Sequence, residues 1–103
     1  RRQRQMCIRD SYFDKVFLTV EGMELERGYT VQDKNRMPLY TQLSRMTRRL
    51  YMLIDSAKFD RRTFATVFPP DKPCRVITTK NLPQKYAEFY AQRGIPCTQL
   101  PLE

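Results

Sequence analysis

Four short apolar runs, each about the length of one strand, constrain the fold of this chain more than any other feature. They lie at residues 15–20, 50–54, 74–79 and 95–100, and each contains β-branched or aromatic side chains. Nearly continuous apolar runs of this length are typical of strands buried on both faces of a parallel sheet. Helical patterns separate the first pair and the last pair, so the sequence predicts the order β-α-β-turn-β-α-β. That order indicates a mainly parallel, three-layer α/β arrangement with flanking helices.

The segments between these runs are predicted from periodicity and from turn residues. Residues 33–49 carry apolar side chains three or four positions apart, which indicates a helix, and Pro38 places its regular start near Met37. Residues 23–30 are predicted to form a loop, and residues 60–68 a short helix. We expect Asn81 to cap a last helix that ends at Gly94. Pro96 indicates that the final strand lies at a sheet edge.

Residues 1–11 are excluded from the prediction of the fold. Their sequence, RRQRQMCIRDS, matches one reading frame of a transposase-type sequencing adapter residue for residue, so we predict that the segment is not native. The segment holds four Arg and one Asp, and removing it lowers the formal charge from +8 to +5. A basic arm that binds nucleic acid is the alternative. We expect that the native polypeptide begins before Tyr12 and that residues 12–103 are the C-terminal part of a longer protein.

Several classes of site and protein are disfavoured by the composition. The chain has no His, and Cys74 and Cys97 belong to no CxxC pair, which argues against a zinc site and against Cys-His or Ser-His catalysis. We expect both cysteines to be small buried apolar residues in a reducing compartment. No nucleotide-binding glycine motif is present, and no apolar run could span a membrane. We therefore predict a cytoplasmic protein without metal or cofactor.

The stretch from residue 50 to residue 62 carries the candidate chemistry. Its apolar run ends abruptly at Asp55, and Lys58 follows in the next turn. Ligands of parallel α/β sheets bind outside the carboxyl ends of the strands, so these two side chains would meet at a binding edge. The alternatives are an ordinary strand end that enters a polar loop, or a local ion pair that organises the turn.

Six segments, in order, match a family pattern. The pattern has an FLGADG strand end, then GLT, a long helix, LLADSSKFGR and a VITD strand end. The matching segments here are 17–22 (FLTVEG), 28–30 (GYT), 53–61 (LIDSAKFDR), 76–79 (VITT), 82–83 (LP) and 94–95 (GI). On these segments, residues 13–100 resemble the C-terminal sensor domain of the DeoR family of bacterial transcription repressors.

The resemblance implies a fold related to ribose-5-phosphate isomerase and a site for a phosphorylated sugar or related metabolite. It implies effector contacts for Asp55 and Lys58, and also for Glu21, which Gly22 follows. Lys58 would bind a phosphate or sugar oxygen, whereas the carboxylates would accept bonds from hydroxyl groups. Arg61 is a further candidate for the phosphate.

The chain departs from the family pattern at Thr19, Glu21 and Thr79, which bears on the identity of the ligand. The family's phosphate loop (Gly-Ser-Thr-Thr) and its winged helix-turn-helix would precede this chain, so DNA would be bound only through the missing part. If the part of the domain that precedes this chain is missing, its sheet has an open edge and uncovered apolar faces, so we expect a homo-oligomer.

The alternative function is a sugar-phosphate isomerase, with Glu21 as general base and Lys58 as phosphate anchor. A free-standing nucleic-acid module is a third hypothesis, which depends on the arginines of residues 1–11.

Overall fold

The computed structural model describes residues 12–102, and the first eleven residues and Glu103 lie outside the described part. Two short 3₁₀ turns, Lys34–Arg36 and Ser56–Lys58, accompany the main elements. In chain order these elements are β1 (Phe13–Thr19), β2 (Gly22–Glu24), β3 (Gly28–Val31), α1 (Met37–Arg45), β4 (Thr47–Leu53), β5 (Ala65–Phe68), β6 (Arg75–Thr79), α2 (Gln84–Arg93) and β7 (Cys97–Leu100).

The main sheet has four strands in the order β1-β4-β6-β7. Every neighbouring pair is parallel, and Val16 lies beside Leu50 while Met52 lies beside Val76. The α/β fold class with a mainly parallel sheet and flanking helices is therefore confirmed. β7, which follows Pro96, lies at the edge of the sheet, as predicted.

A second, antiparallel sheet in the order β2-β3-β5 was not predicted. The loop predicted for residues 23–30 is a hairpin. Residues 60–68 contain no helix, and residues 65–68 form strand β5. Both predictions were wrong. Gly28 permits the close approach of β3 to the end of β5. Its φ is +101°, and a Cβ there would lie 2.2 Å from the Phe68 carbonyl oxygen.

The predicted ends of the helices need two corrections. α1 starts at Met37 as expected, but it stops at Arg45, and residues 47–49 belong to β4 because they pair with β1. Asn81 does not cap α2: it adopts a φ of +77°, and Pro83 occupies the residue before the helix. Gly94 ends α2 in the left-handed conformation, as predicted.

One face of the parallel sheet, the covered face, carries the core. Residues Val16, Leu18, Leu50, Met52 and Val76 project from it, because alternate side chains of a strand point to the same side. Both helices and the small sheet add buried aromatic residues to the same cluster: Tyr29, Tyr40, Phe68, Tyr86 and Tyr90. Within residues 12–102, both helices and the small sheet therefore pack on the covered face.

The opposite face of the parallel sheet has no fully buried side chain among the described residues. We call it the open face; its members are Lys15, Phe17, Thr19, Arg49, Tyr51, Leu53, Arg75, Ile77, Thr79, Thr98 and Leu100. Phe17 stacks on Tyr51 with ring centroids 4.6 Å apart and remains 52% exposed. Residues 12–102 thus form two layers, so the three-layer prediction was wrong for this part of the chain.

No helix within residues 12–102 has both the length and the apolar character needed to cross a membrane.

Candidate functional site

A cavity of about 370 Å³ lies where the carboxyl ends of the parallel strands meet. Each of the four strands contributes to it directly or through the residues that follow it. The lining residues are Thr19, Val20, Leu53, Ile54, Asp55, Lys58, Ile77, Thr78, Thr79 and Leu100. This is the position at which parallel α/β sheets bind ligands. The cavity also reaches the open face, because Leu53, Ile77 and Leu100 project from that face.

Asp55 begins the turn that places Lys58 at this cavity. The side chain of Asp55 caps the 3₁₀ turn Ser56–Lys58, and its Oδ1 accepts a hydrogen bond of 3.0 Å from the Ala57 backbone N–H. The Lys58 backbone N–H donates to the Asp55 carbonyl at 2.8 Å. A single turn separates the two residues, and both line the cavity.

Thr79, at the end of β6, connects this turn to the neighbouring strand. Its Oγ1 accepts a 2.9 Å hydrogen bond from the Ser56 backbone N–H and lies 2.9 Å from Ser56 Oγ and 3.3 Å from Asp55 Oδ1. Ser56 Oγ donates in turn to the Lys80 carbonyl at 2.7 Å. From the sequence, Thr79 was expected only to depart from the family pattern and was not predicted as a site residue. Its position at the carboxyl end of a strand next to β4 was the available signal.

Lys58 is half-buried and makes no ion pair with any residue from 12 to 102. The local ion pair between Asp55 and Lys58, considered as an alternative, is not formed; Asp55 bonds to the backbone of the turn instead. A cation that is partly removed from water and forms no ion pair is suited to an anionic ligand.

The cavity offers further polar groups besides this pair. Asp55 uses Oδ1 for both of its hydrogen bonds, so Oδ2 is left for a ligand. Thr78 Oγ1 is buried without a hydrogen-bond partner in the described structure, and Thr78 lines the cavity. The remaining wall is apolar. One cation, one carboxylate oxygen and hydroxyl groups beside an apolar wall suit a small anion that carries several hydroxyl groups.

Three of the predicted site residues do not line the cavity. Glu21 Oε1 accepts a hydrogen bond of 2.5 Å from the Gln32 backbone N–H. Gly22 is buried, and a Cβ there would lie 2.6 Å from the Arg61 carbonyl oxygen, so it allows β2 to pack closely. Arg61 is exposed. Glu21, the general base of the isomerase alternative, is thus bound to the backbone and lies outside the cavity.

The two cysteines within residues 12–102 are free and half-buried. Burial raises the pKa of the Cys74 thiol to about 11 and also raises the pKa of Cys97. Both thiols are therefore protonated near neutral pH and poor nucleophiles. Within the described range, no three side chains of Asp, Glu or Cys converge as metal ligands.

Comparison with known proteins agrees with the fold. The sequence model of the "DeoR C terminal sensor domain" matches residues 2–80. This range includes most of residues 1–11, whose predicted non-native origin stays a prediction.

Two curated relatives are similar over most of the chain. A protein of Escherichia coli O157:H7, named as a transcriptional repressor of the aga operon, is 23% identical over 90% of this chain. The HTH-type transcriptional regulator IolR of Bacillus subtilis (strain 168) is 27% identical over 84% of this chain. The aligned part covers 35% of each relative, so the chain spans about a third of their length. Since the family match covers well over half of its residues, the chain belongs to the DeoR C-terminal sensor domain family.

Proposed function

We propose that this chain is the effector-sensing part of a DNA-binding transcriptional repressor of carbohydrate metabolism. The effector is a phosphorylated sugar or a related metabolite, and it binds in the cavity at the carboxyl ends of the parallel strands. The observation that carries the proposal is Lys58, a half-buried cation that lines the cavity with Asp55 and forms no ion pair with any residue from 12 to 102.

The two charged groups divide the recognition of such a ligand. The Lys58 ammonium group binds the phosphate as a compact point charge. Asp55 Oδ2 accepts a hydrogen bond from a sugar hydroxyl, while Oδ1 holds the turn. The apolar wall formed by Leu53, Ile77 and Leu100 packs against the C–H groups of the sugar. Glu21, Gly22 and Arg61 remain proposed contributors, which would require a rearrangement that brings them to the ligand.

The wider role is inferred from the relatives, both of which are named as transcriptional regulators. In the whole protein, DNA is bound by an N-terminal winged helix-turn-helix that is not part of this chain. Effector binding releases the DNA, and no reaction is catalysed. Such a regulator acts in the cytoplasm, where bacterial DNA is located.

We also propose that the protein associates with copies of itself. Outside the cavity, the open face presents the Phe17–Tyr51 stack, with Phe17 52% exposed, and no layer among residues 12–102 covers it. Contiguous exposed apolar surface of this kind marks an interaction site.

The test of the effector site is the substitution Lys58→Ala. In the whole repressor we expect it to abolish the response to the inducer in a reporter assay and to leave operator binding intact. In this chain we expect affinity for the sugar phosphate to fall on the order of tenfold or more, because a hydrogen bond to a charged group is lost. Binding is measured by calorimetry with a panel of pentose and hexose phosphates.

Two controls accompany this substitution. Lys34→Ala removes an exposed lysine that does not line the cavity and should leave binding unchanged. Each sugar is also tested without its phosphate, and it should bind far more weakly. Unchanged induction by the Lys58→Ala repressor would refute the proposed site.

A further inference from the structure

Four cations lie toward the amino ends of the parallel strands, at the end of the sheet opposite the cavity. Arg48 and Arg49 are the second and third residues of β4, Arg75 begins β6, and Lys15 is the third residue of β1. All four side chains are exposed. We call Lys15, Arg48, Arg49 and Arg75 the basic surface.

Two adjoining clefts connect the four residues. The larger, of about 380 Å³, is lined by Arg48, Arg49 and Arg75 together with Cys74 and apolar residues. The smaller, of about 250 Å³, is lined by Asp14, Lys15, Arg48 and Arg49. Lys15, Arg49 and Arg75 lie on the open face, whereas the side chain of Arg48 alternates to the other side of β4. Because Arg48 and Arg49 line both clefts, the basic surface extends around the amino ends of β1, β4 and β6.

The charges of the basic surface are not compensated within the described structure. Lys15 and Arg49 are direct partners in the register of β1 and β4, and like charges at such positions repel each other. None of the four cations forms an ion pair with a residue of the range 12–102. Among residues 12–102, Asp14 is the one acidic residue that lines either cleft. A polyanion on this surface would therefore relieve repulsion as well as add attraction.

We propose that the basic surface binds the phosphate backbone of DNA. Neighbouring strands are about 4.8 Å apart, so three strands spread the cations over about 10 Å. One strand of B-DNA presents a phosphate for about every 3.4 Å of helix axis, so different cations reach different phosphates. The exposure of the four side chains fits a backbone that passes over the surface rather than a ligand enclosed in it.

This contact carries no sequence information, because phosphates are the same at every site. It adds affinity to whatever part of the regulator reads the operator, and it lies apart from the effector cavity. The DNA contact depends neither on a sugar phosphate nor on Lys58, so the DNA contact and the effector site can each be refuted without the other.

The test measures the binding of this 103-residue chain to a fluorescent 20-base-pair duplex of random sequence by anisotropy over a series of salt concentrations. The main variant, R48Q/R49Q/R75Q, removes three charges of the basic surface. The control variant, R27Q/K34Q/R36Q, removes three exposed charges elsewhere. A third variant, R1Q/R2Q/R4Q/R9Q, separates the contribution of residues 1–11.

We expect the main variant to weaken binding at low salt on the order of tenfold or more. The slope of log K against log salt should become shallower by roughly 0.9 for each lost phosphate contact. R48K/R49K/R75K, which keeps the charges, should bind nearly as the unaltered chain does. The control variant should change affinity much less than the main variant.

Four results would overturn the proposal. The first is that the unaltered chain does not bind the duplex, and the second is that the main and control variants lose equal affinity. The third is that only the variant of residues 1–11 loses binding. The fourth is that millimolar inorganic phosphate displaces the duplex completely, which would indicate a small-anion site. Circular dichroism checks the fold of each variant. If the main variant does not fold, Arg75→Gln alone decides, with an unchanged salt slope counting against the proposal.

Discussion

The two faces of the parallel sheet come from the same strands and differ in what covers them. On β4, Leu50 and Met52 point to the covered face and are buried, whereas Tyr51 and Leu53 point to the open face and are half-buried. Both faces are apolar at their centre. The helices, the small sheet and their aromatic side chains all lie on one of them. An apolar strand residue therefore contributes to stability or to association according to the face on which it lies.

On the covered face, the hydroxyl groups of the buried tyrosines are hydrogen-bonded. The hydroxyl groups of Tyr29 and Tyr90 lie 2.6 Å apart, and that of Tyr86 donates to Asp60 Oδ1 at 2.7 Å. Tyr40 donates to the Thr19 carbonyl at 2.5 Å. A buried hydroxyl without a partner costs about 1–3 kcal/mol, so these contacts make the aromatic core possible. They also fix the helices to the small sheet and to β1.

The largest effect that separates the faces is expected from two adjacent residues of β4. Met52 is fully buried, and Met52→Ala should lower the free energy of unfolding by about 3 kcal/mol, because a cavity remains in a packed core. Leu53→Ala removes a half-buried side chain from the open face and should cost less than about 1 kcal/mol. Urea unfolding followed by circular dichroism measures both. Equal losses would show that the open face is packed as tightly as the covered face.

A second difference between the faces should appear at high pH. Burial raises the pKa of Tyr29 and of Tyr90 above the ordinary phenol value of about 10. Both phenols stay protonated in the folded state at a pH at which they ionise in the unfolded chain. Their contribution to stability is therefore complete below pH of about 10 and is lost as the pH rises toward the folded-state values.

The double variant Tyr29→Phe/Tyr90→Phe tests whether ionisation of these two phenols causes the loss of stability at high pH. Urea midpoints measured from pH 8 to pH 11 should fall above pH of about 10 in the unaltered chain and fall less steeply in the double variant. At pH 8 each single variant should lose about 1–2 kcal/mol and the double variant less than the sum, since both partners of one contact are removed. Parallel pH profiles for the unaltered and double-variant chains would assign the loss to other groups.

The parallel sheet could be predicted from the sequence because its strands are apolar runs of five or six residues. The boundary between α1 and β4 could not. Leu50 fits the helical stripe four positions after Met46, yet it is buried in β4 through its pairing with Val16. The strands β2, β3 and β5 have three or four residues, too few to show an alternating pattern.

The placement of Asp55 and Lys58 at one cavity could be predicted because it depends on a single strand end and the turn that follows it. Their role in binding an effector stays a prediction. Thr79 depends on the adjacency of β4 and β6, which lie more than twenty residues apart in the chain. The contact of Glu21 with the Gln32 backbone depends on the hairpin of β2 and β3, which the sequence predicted as a loop. Contacts between distant segments were thus the part that local patterns could not supply.

The smallest effect on stability, with the largest effect on association, is expected on the open face. Phe17→Ser removes a ring that is 52% exposed and stacked on Tyr51, so it should change the free energy of unfolding by less than about 1 kcal/mol. If copies of the chain associate through this face, the substitution should shift self-association to higher protein concentration in light scattering and sedimentation. Phe64→Ser is the matched control, because Phe64 is 66% exposed and does not belong to the open face. A clean monomer for the unaltered chain would contradict self-association, and an equal shift in both variants would move it away from the open face.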